Sequence, residues 1–172
     1  MRLTLLAASA AFAAIGAVAN AATYAFSYEL SSGTLLAGTF EGDLQGDGDT
    51  ITVRSFGPLT FGGAPAPDLP FVEAISEFFG GPAAVPVLSL SGATGDLIAC
   101  TSSACIDGFL FDTVGALGSG AVYNSGTAFG ATFETYDPAR WSVSVVSTVP
   151  LPATAPLALL ALAGLAATRR RS

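Results

Sequence analysis

Apolar and polar residues alternate with a period of two along most of the chain between residues 22 and 148. Tyr24, Phe26 and Tyr28 alternate with smaller or polar neighbours, and Trp141 and Val143 repeat the pattern near the other end. This period is typical of half-buried β-strands. The remaining candidate strands, separated by turns rich in Gly, Ser and Asp, lie at 34–41, 50–56, 85–90, 96–100, 105–111, 121–124 and 127–135. Roughly eight or nine short strands in this length predict an all-β fold, either an antiparallel β-sandwich or a jelly-roll-like domain.

Two segments of this region depart from the alternating pattern. Residues 71–79 are the one candidate helix, because their Phe and Ile residues fall on one side and their two Glu residues on another. Pro70 before this segment and Gly80 after it are suitable helix boundaries. Residues 57–70 contain four prolines and are predicted to form a loop.

The N-terminal residues have the three parts of a secretory signal peptide. Arg2 supplies the positive start, residues 3–18 form an alanine-rich apolar core, and Ala19-Asn20-Ala21 has the small-x-small pattern of a cleavage site. We therefore expect residues 1–21 to be removed by cleavage after Ala21. The mature domain would then cover residues 22–148, which is enough for one domain with a core and too few for two.

Residues 149–172 combine a proline motif, an apolar span and a cluster of arginines. The motif is Val149, Pro150, Leu151, Pro152 and Ala153, the span covers residues 155–167, and the cluster is Arg169, Arg170 and Arg171. A helix from residue 151 to residue 168 would be roughly 27 Å long, close to the thickness of a hydrocarbon core. Arginines beyond the span favour a cytoplasmic C-terminus, and the prolines favour an extended motif on the outer side. A plain C-terminal anchor or a buried C-terminal helix is the alternative interpretation.

This tail resembles the PEP-CTERM class of bacterial sorting signals in its VPLPA variant. The order of signal peptide, strand-patterned domain and tail is also similar to that of many proteins of this class. The resemblance implies an exosortase-type processing enzyme as a partner and an intermediate anchored in the inner membrane. It further implies deposition at the cell surface or in an extracellular matrix, often in bacteria that produce exopolysaccharide, and says nothing about enzymatic activity.

The mature domain is strongly acidic once both targeting segments are set aside. Arg54 and Arg140 are its only basic residues, beside thirteen acidic ones, and the chain contains no Lys and no His. A surface of this kind repels phosphate backbones, so the composition argues against nucleic-acid binding. It suits solubility, a saline habitat or an acidic matrix cross-linked by divalent ions.

The same composition leaves few routes to catalysis. Without His and Lys the chain has no Ser-His-Asp or Cys-His arrangement and no lysine for a Schiff base. Pairs of carboxylates can hydrolyse glycosides, and Glu73 with Glu77 and Asp107 with Asp112 are nominal pairs. In so acidic a domain some carboxylates must lie close together by chance, so proximity alone does not indicate catalysis. We therefore predict no catalytic residue and no cofactor.

Cys100 and Cys105 are the only cysteines, and export would place them where disulfides persist. The four small residues between them, with apolar residues on both flanks, are expected in a loop that joins two adjacent strands. A bridge across so small a ring contributes about 2 kcal/mol by the loop-entropy estimate. Two thiols without His argue against a zinc site.

Three acidic residues suggest part of a calcium loop. Asp43, Asp47 and Asp49 follow the spacing of an EF-type loop, but Arg54 stands where a bidentate Glu is expected. The strand pattern on both sides favours a hairpin turn that binds calcium weakly at best.

The favoured function is therefore that of a noncatalytic exported protein of the cell surface or matrix. A carbohydrate-binding module is the first alternative, and it would need exposed Trp or Tyr side chains as a platform. A polysaccharide-active enzyme is the second, and it would need two facing carboxylates in a cleft. Trp141 is expected in the core rather than on a platform, because it is in phase with Val143 and Val145.

Overall fold

The computed structural model describes residues 21–125 and 130–148. Its strands are β1 (Ala21–Glu29), β2 (Leu35–Leu44), β3 (Thr50–Phe61), β4 (Ala64–Pro65), β5 (Phe71–Glu73), β6 (Val87–Ser89), β7 (Gly95–Cys100), β8 (Gly108–Asp112), β9 (Gly120–Ser125), β10 (Gly130–Thr135) and β11 (Trp141–Thr148). The helix α1 covers Ile75–Phe78, and a short 3-10 helix covers Pro138–Arg140.

Several predicted segments lie outside the described residues. These are the signal peptide up to Asn20, the proline motif, the apolar span, the arginine cluster and residues 127–129 of one candidate strand. Among the helices that the structure does describe, none has the length and hydrophobicity needed to span a bilayer.

The strands form one antiparallel sheet, which confirms the predicted all-β fold. Neighbouring strands follow the order β10-β9-β8-β7-β6-β3-β2-β1-β11, with β4 beside β3 and β5 beside β7. Within the described ranges β10 and β11 each pair on one side, so the sheet is open. Most neighbours are also close in the chain, whereas β11 crosses over to join β1. The first and last strands of the domain are therefore side by side.

Aromatic side chains bring together strands that are not neighbours in the sheet. The ring centroid of Phe26 on β1 lies 6.0 Å from that of Phe109 on β8, and Tyr28 lies 5.3 Å from Phe111. The sheet therefore folds over on itself, so that it has two arms, one containing β1 and the other containing β8. The inner faces of these two arms enclose the main core. On β1 the buried residues alternate with more exposed ones, as the period of two predicts.

The outer face of β7 is covered as well as its inner face. Leu97 and Ala99 belong to the main core, while Ile98 and Cys100 form a second apolar cluster with Ile75 of α1. Every residue of β7 is buried as a result. Burial on both faces explains why residues 97–100 of the predicted strand at 96–100 form a continuous apolar run rather than an alternating pattern.

The prediction of a helix over residues 71–79 is wrong in its first half. Phe71–Glu73 forms β5, which pairs with β7, and the helix is confined to Ile75–Phe78. Val72 packs against the main core while Phe71 packs against the second cluster, an alternation that a strand provides. Tertiary packing on both sides has overridden the local helical pattern.

The predicted loop at 57–70 is also partly strand. β3 continues through Phe61, and β4 returns beside it after Gly62 and Gly63. Both glycines have positive φ angles, 59° and 82°. A two-residue hairpin turn that matches the twist of its strands requires such angles. Burial of Leu59 and Phe61 in the main core accounts for the extension of β3.

Candidate functional site

The two ends of the domain meet at one end of β1. Pairing with β11 sets Ala22 opposite Thr148, and pairing with β2 sets Ala21 opposite Asp43. Opposite residues of an antiparallel pair have Cα atoms about 4.5–5.5 Å apart. Ala22 is held in this position because its side chain is buried in the main core. The chain segments before residue 21 and after residue 148 therefore leave the sheet from adjacent strands.

Asp43 is a buried carboxylate at the same end of the sheet, with 8% of its surface exposed. Its Oδ2 lies 2.6 Å from Nε of Arg54 on β3. Its Oδ1 is the one buried side-chain acceptor that lacks a hydrogen-bond donor in the part of the chain that the structure describes. Burial raises the pKa of Tyr24, and the negative charge of Asp43 raises it further. A buried charged oxygen without a donor is costly, so this atom stands out as an unfilled acceptor.

The other two candidate calcium ligands do not converge with Asp43. Asp47 Oδ1 accepts hydrogen bonds from the backbone N–H groups of Asp49 and Thr50, and its Oδ2 accepts one from Thr50 Oγ1 at 2.6 Å. The Thr50 hydroxyl contributes most to lowering the pKa of Asp47. Asp49 instead accepts two hydrogen bonds from Ser91. The segment is a hairpin turn between β2 and β3, as predicted.

One member of each nominal catalytic pair makes structural contacts. Glu77 Oε2 accepts a hydrogen bond from the backbone of Ala84 at 3.1 Å. Asp112 is fully buried, and its carboxylate accepts backbone hydrogen bonds from Gly115, Ala116 and Leu117. Among the described residues, no group of three or more potential metal ligands comes together.

One carboxylate pair was not predicted from the sequence. Asp96 of β7 is directly opposite Asp112 of β8, and both are buried. Asp96 accepts hydrogen bonds from Ser76 N and Ser76 Oγ at the start of α1, at 2.9 and 2.7 Å. The sequence predicts the two strands but not their register, and the register makes these residues neighbours. Each carboxylate orders a chain segment, Asp96 the helix and Asp112 the loop after β8.

Five residues that we call the Glu134 cluster connect β10 to the far end of β1: Tyr28, Ser31, Glu134, Asp137 and Arg140. Glu134 accepts hydrogen bonds from Tyr28 Oη at 3.2 Å, from Ser31 N at 2.6 Å and from Arg140 Nη1 at 3.2 Å. Burial opposes ionisation of Glu134, but the hydrogen bonds and the Arg140 charge together hold its pKa below the ordinary value. Burial raises the pKa of Tyr28, so the cluster contains a carboxylate, a guanidinium and a neutral phenol at neutral pH.

The predicted pairing of Cys100 and Cys105 is present as a disulfide that closes the loop between β7 and β8. An apolar cavity of about 240 Å³ lies beside it, lined among others by Phe78, Phe79 and Leu110. No charged side chain lines this cavity. It is large enough for a small apolar group, but nothing in it would orient a polar ligand.

Among the side chains that the structure describes, the exposed aromatic residues do not cluster into a glycan platform. Trp141 is half-buried against Phe26 and Phe111, and its Nε1 donates a hydrogen bond to Ser89 O at 2.8 Å, so its predicted place in the core is confirmed. Phe79, which is 52% exposed, directly follows α1, whereas Phe133, which is 66% exposed, lies on β10.

Comparison with protein-family models, curated proteins and solved structures finds no match to this chain.

Proposed function

We propose that the chain is a noncatalytic exported protein of the cell surface or extracellular matrix, delivered by its N-terminal leader and processed at its C-terminal tail. The tail would anchor an intermediate in the inner membrane until an exosortase-type enzyme acts at the proline motif. The described domain would then be released or transferred beyond that membrane. Its fold is proposed to be a β-sandwich, the first of the two expected types, because the two arms of the sheet pack face to face.

The pairing of β1 with β11 is the observation that carries this proposal. Ala22 and Thr148 are opposite each other, so the leader and the tail leave the domain at the same end of adjacent strands. A domain whose two flanking segments both insert into one membrane needs its ends on the same side. β11 ends at Thr148, so no residue separates it from the motif that begins at Val149.

The state of the charged groups supports a noncatalytic role. Both basic residues of the domain are ion-paired, Arg54 with Asp43 and Arg140 with Glu134 and Asp137. The buried carboxylates Asp96 and Asp112 accept hydrogen bonds from the chain itself. A catalytic pair of carboxylates instead faces a cleft that admits the substrate.

The proposal is tested by following export and processing of the full chain in a host that encodes the sorting enzyme. Wild type and the variant Pro150→Ala/Pro152→Ala are fractionated, and the mass of each product is measured. We expect wild type to lose its C-terminal segment and to leave the inner membrane, and the variant to stay at full tail length in that membrane. The motif lies beyond the last strand, so the substitution should not alter folding.

Pro82→Ala is the matched control, because Pro82 is an exposed proline in the loop after α1. It should be processed like wild type. Equal processing of wild type and the motif variant would contradict recognition of the motif. Specific binding of the exported domain to a glycan array would favour the carbohydrate-binding alternative instead.

A further inference from the structure

Asp43 Oδ1, the buried acceptor without a hydrogen-bond donor, lies close to the position where removal of the leader would create a new charge. Hydrolysis of the peptide bond between Ala21 and Ala22 consumes one water molecule. The carboxylate formed on Ala21 departs with the leader, and the amine formed on Ala22 takes up a proton at neutral pH. Since Ala21 is directly opposite Asp43, the new ammonium group arises within one residue of that carboxylate.

Ala22 cannot move far from this place after cleavage. Its side chain is buried in the main core, and its backbone is paired with Gly42 of β2 and with Thr148 of β11. An ammonium group held at the start of a packed strand needs a counter-charge or hydrogen-bond acceptors. Asp43 Oδ1 is a charged acceptor without a donor, whereas Oδ2 already receives Nε of Arg54.

We infer that Asp43 is the binding site for the α-ammonium group of Ala22 in the processed protein, and that cleavage thereby completes an ion pair that the precursor lacks. The inference rests on the proposed export and on cleavage after Ala21. The Asp43 carboxylate would then bridge two cations, Arg54 on one oxygen and the new N-terminus on the other. Leader removal would stabilise the domain as well as release it.

The charged groups around the new N-terminus decide its expected pKa. Asp43 and Glu41 on β2 are negative, Arg54 on β3 is positive and already bound to Asp43, and Tyr24 on β1 is neutral at neutral pH. An opposite charge within hydrogen-bonding distance stabilises the protonated amine. We therefore expect the pKa of the α-amine to exceed its ordinary value, which is about 7.7–8.0, by about one.

The absence of Lys makes this group easy to measure. Because the chain contains no Lys, the α-amine is the only primary amine of the processed protein. The full chain is produced in an exporting host, and the exported product is treated with N-hydroxysuccinimide acetate at pH 7. Mass spectrometry then gives the N-terminal residue and the rate at which one acetyl group is added.

Three variants are compared with wild type. Asp43→Asn removes the charge and keeps the shape, and we expect acetylation about ten times faster than in wild type, because ten times more of the amine is unprotonated. Glu29→Gln removes an exposed carboxylate at the far end of β1 and should leave the rate within about twofold of wild type. One alanine inserted after Ala21 keeps Asp43 and Arg54 but moves the amine away, so it should react as fast as Asp43→Asn.

The outcomes separate the inference from the proposed function. Equal rates in wild type, Asp43→Asn and the insertion variant would overturn the ion pair while leaving export and cleavage intact. An exported chain that begins at another residue would overturn the inference and leave export intact, whereas no export at all would overturn both. If Asp43→Asn fails to fold, as judged by Trp141 fluorescence, the insertion variant decides the question alone.

Discussion

Glu134 is the residue whose loss should weaken the domain most clearly without touching the apolar core. Its carboxylate receives Tyr28 Oη from the end of β1, Ser31 N from the following turn, and Nη1 of Arg140. β10, which carries Glu134, pairs only with β9 among the described strands. The Glu134 cluster therefore links β10, at one edge of the open sheet, to β1 and the turn that follows it.

The expected loss of unfolding free energy depends on which hydrogen bonds and ion pairs each substitution at Glu134 removes. A hydrogen bond to a charged group contributes about 1.5–3 kcal/mol, and an ion pair open to solvent contributes about 0–1 kcal/mol. Arg140 keeps a second partner, because its Nε lies 3.6 Å from Asp137 Oδ2, and 37% of its side chain is exposed. We therefore expect Glu134→Ala to lower the free energy of unfolding by about 2 kcal/mol, within the range for hydrogen bonds to a charged group, because solvent screens the ion pair. Glu134→Gln, which keeps an acceptor oxygen, should cost about half as much.

The pH dependence gives this prediction a second, independent test. Burial favours the protonated form of Glu134, but hydrogen bonds from Ser31 and Tyr28 and the charge of Arg140 outweigh it, so the folded-state pKa is below the ordinary value of 4.5. A lowered folded-state pKa means that the stabilisation is fully present above pH 4.5 and is lost as the pH falls through the folded-state pKa. The difference between wild type and Glu134→Gln should therefore shrink between pH 7 and pH 3.

Urea unfolding followed by Trp141 fluorescence measures both effects. Trp141 is the only tryptophan, and it packs on Phe26 and Phe111, so its emission reports the integrity of the core. Glu41→Gln, at an exposed position of β2, is the control and should change the stability by less than about 0.5 kcal/mol. A Glu134→Ala variant as stable as this control, or a Glu134→Gln difference that is the same at pH 7 and pH 3, would refute the reasoning.

Three further substitutions test other parts of the fold by the same unfolding assay. Asp112→Ala removes the acceptor of three backbone hydrogen bonds in the loop after β8 and should cost about 3 kcal/mol, whereas Asp112→Asn should cost less. Cys100→Ser/Cys105→Ser should cost about 2 kcal/mol, and alkylation of the exported wild type without reductant should find no free thiol. Gly92→Ala should cost about 1–3 kcal/mol and perturb the tryptophan emission, because the new Cβ would lie 2.7 Å from Trp141 Cδ1 at a φ of +76°. An effect below 0.5 kcal/mol in any of these would contradict its stated cause.

The strands could be predicted because the alternation of buried and exposed residues is visible in the local sequence. On β1 each buried aromatic residue is followed by a small or polar one, and the hairpin between β2 and β3 is marked by Gly and Asp residues. The double glycine at residues 62 and 63 was an equally clear turn signal, but the prolines around it favoured a loop. The error at residues 71–79 has another origin, since the apolar spacing there fits a helix and a two-sided strand equally well.

The candidate sites could not be predicted, because they depend on contacts between distant segments. Tyr28 and Glu134 are 106 residues apart, and no local pattern relates them. Asp96 and Asp112 become neighbours through the register of β7 and β8, and Asp43 meets Ala21 through the register of β1 and β2. A shift of one residue in either register would turn these carboxylates to the other face of the sheet. Sequence pattern thus identifies the strands, and strand pairing creates the sites.

The position of β11 sets an order of events for the proposed export. In the proposed export, β11 would be the last of the described strands to cross the membrane, and it supplies the second neighbour of β1. In the folded domain Ala22 is paired on both sides, whereas a peptidase needs an extended backbone free of other partners. Leader removal should therefore precede the docking of β11, and processing of the tail should follow it. A precursor that keeps its leader while the amides of β11 are already protected from hydrogen exchange would contradict this order, because cleavage would then have to reopen a completed sheet.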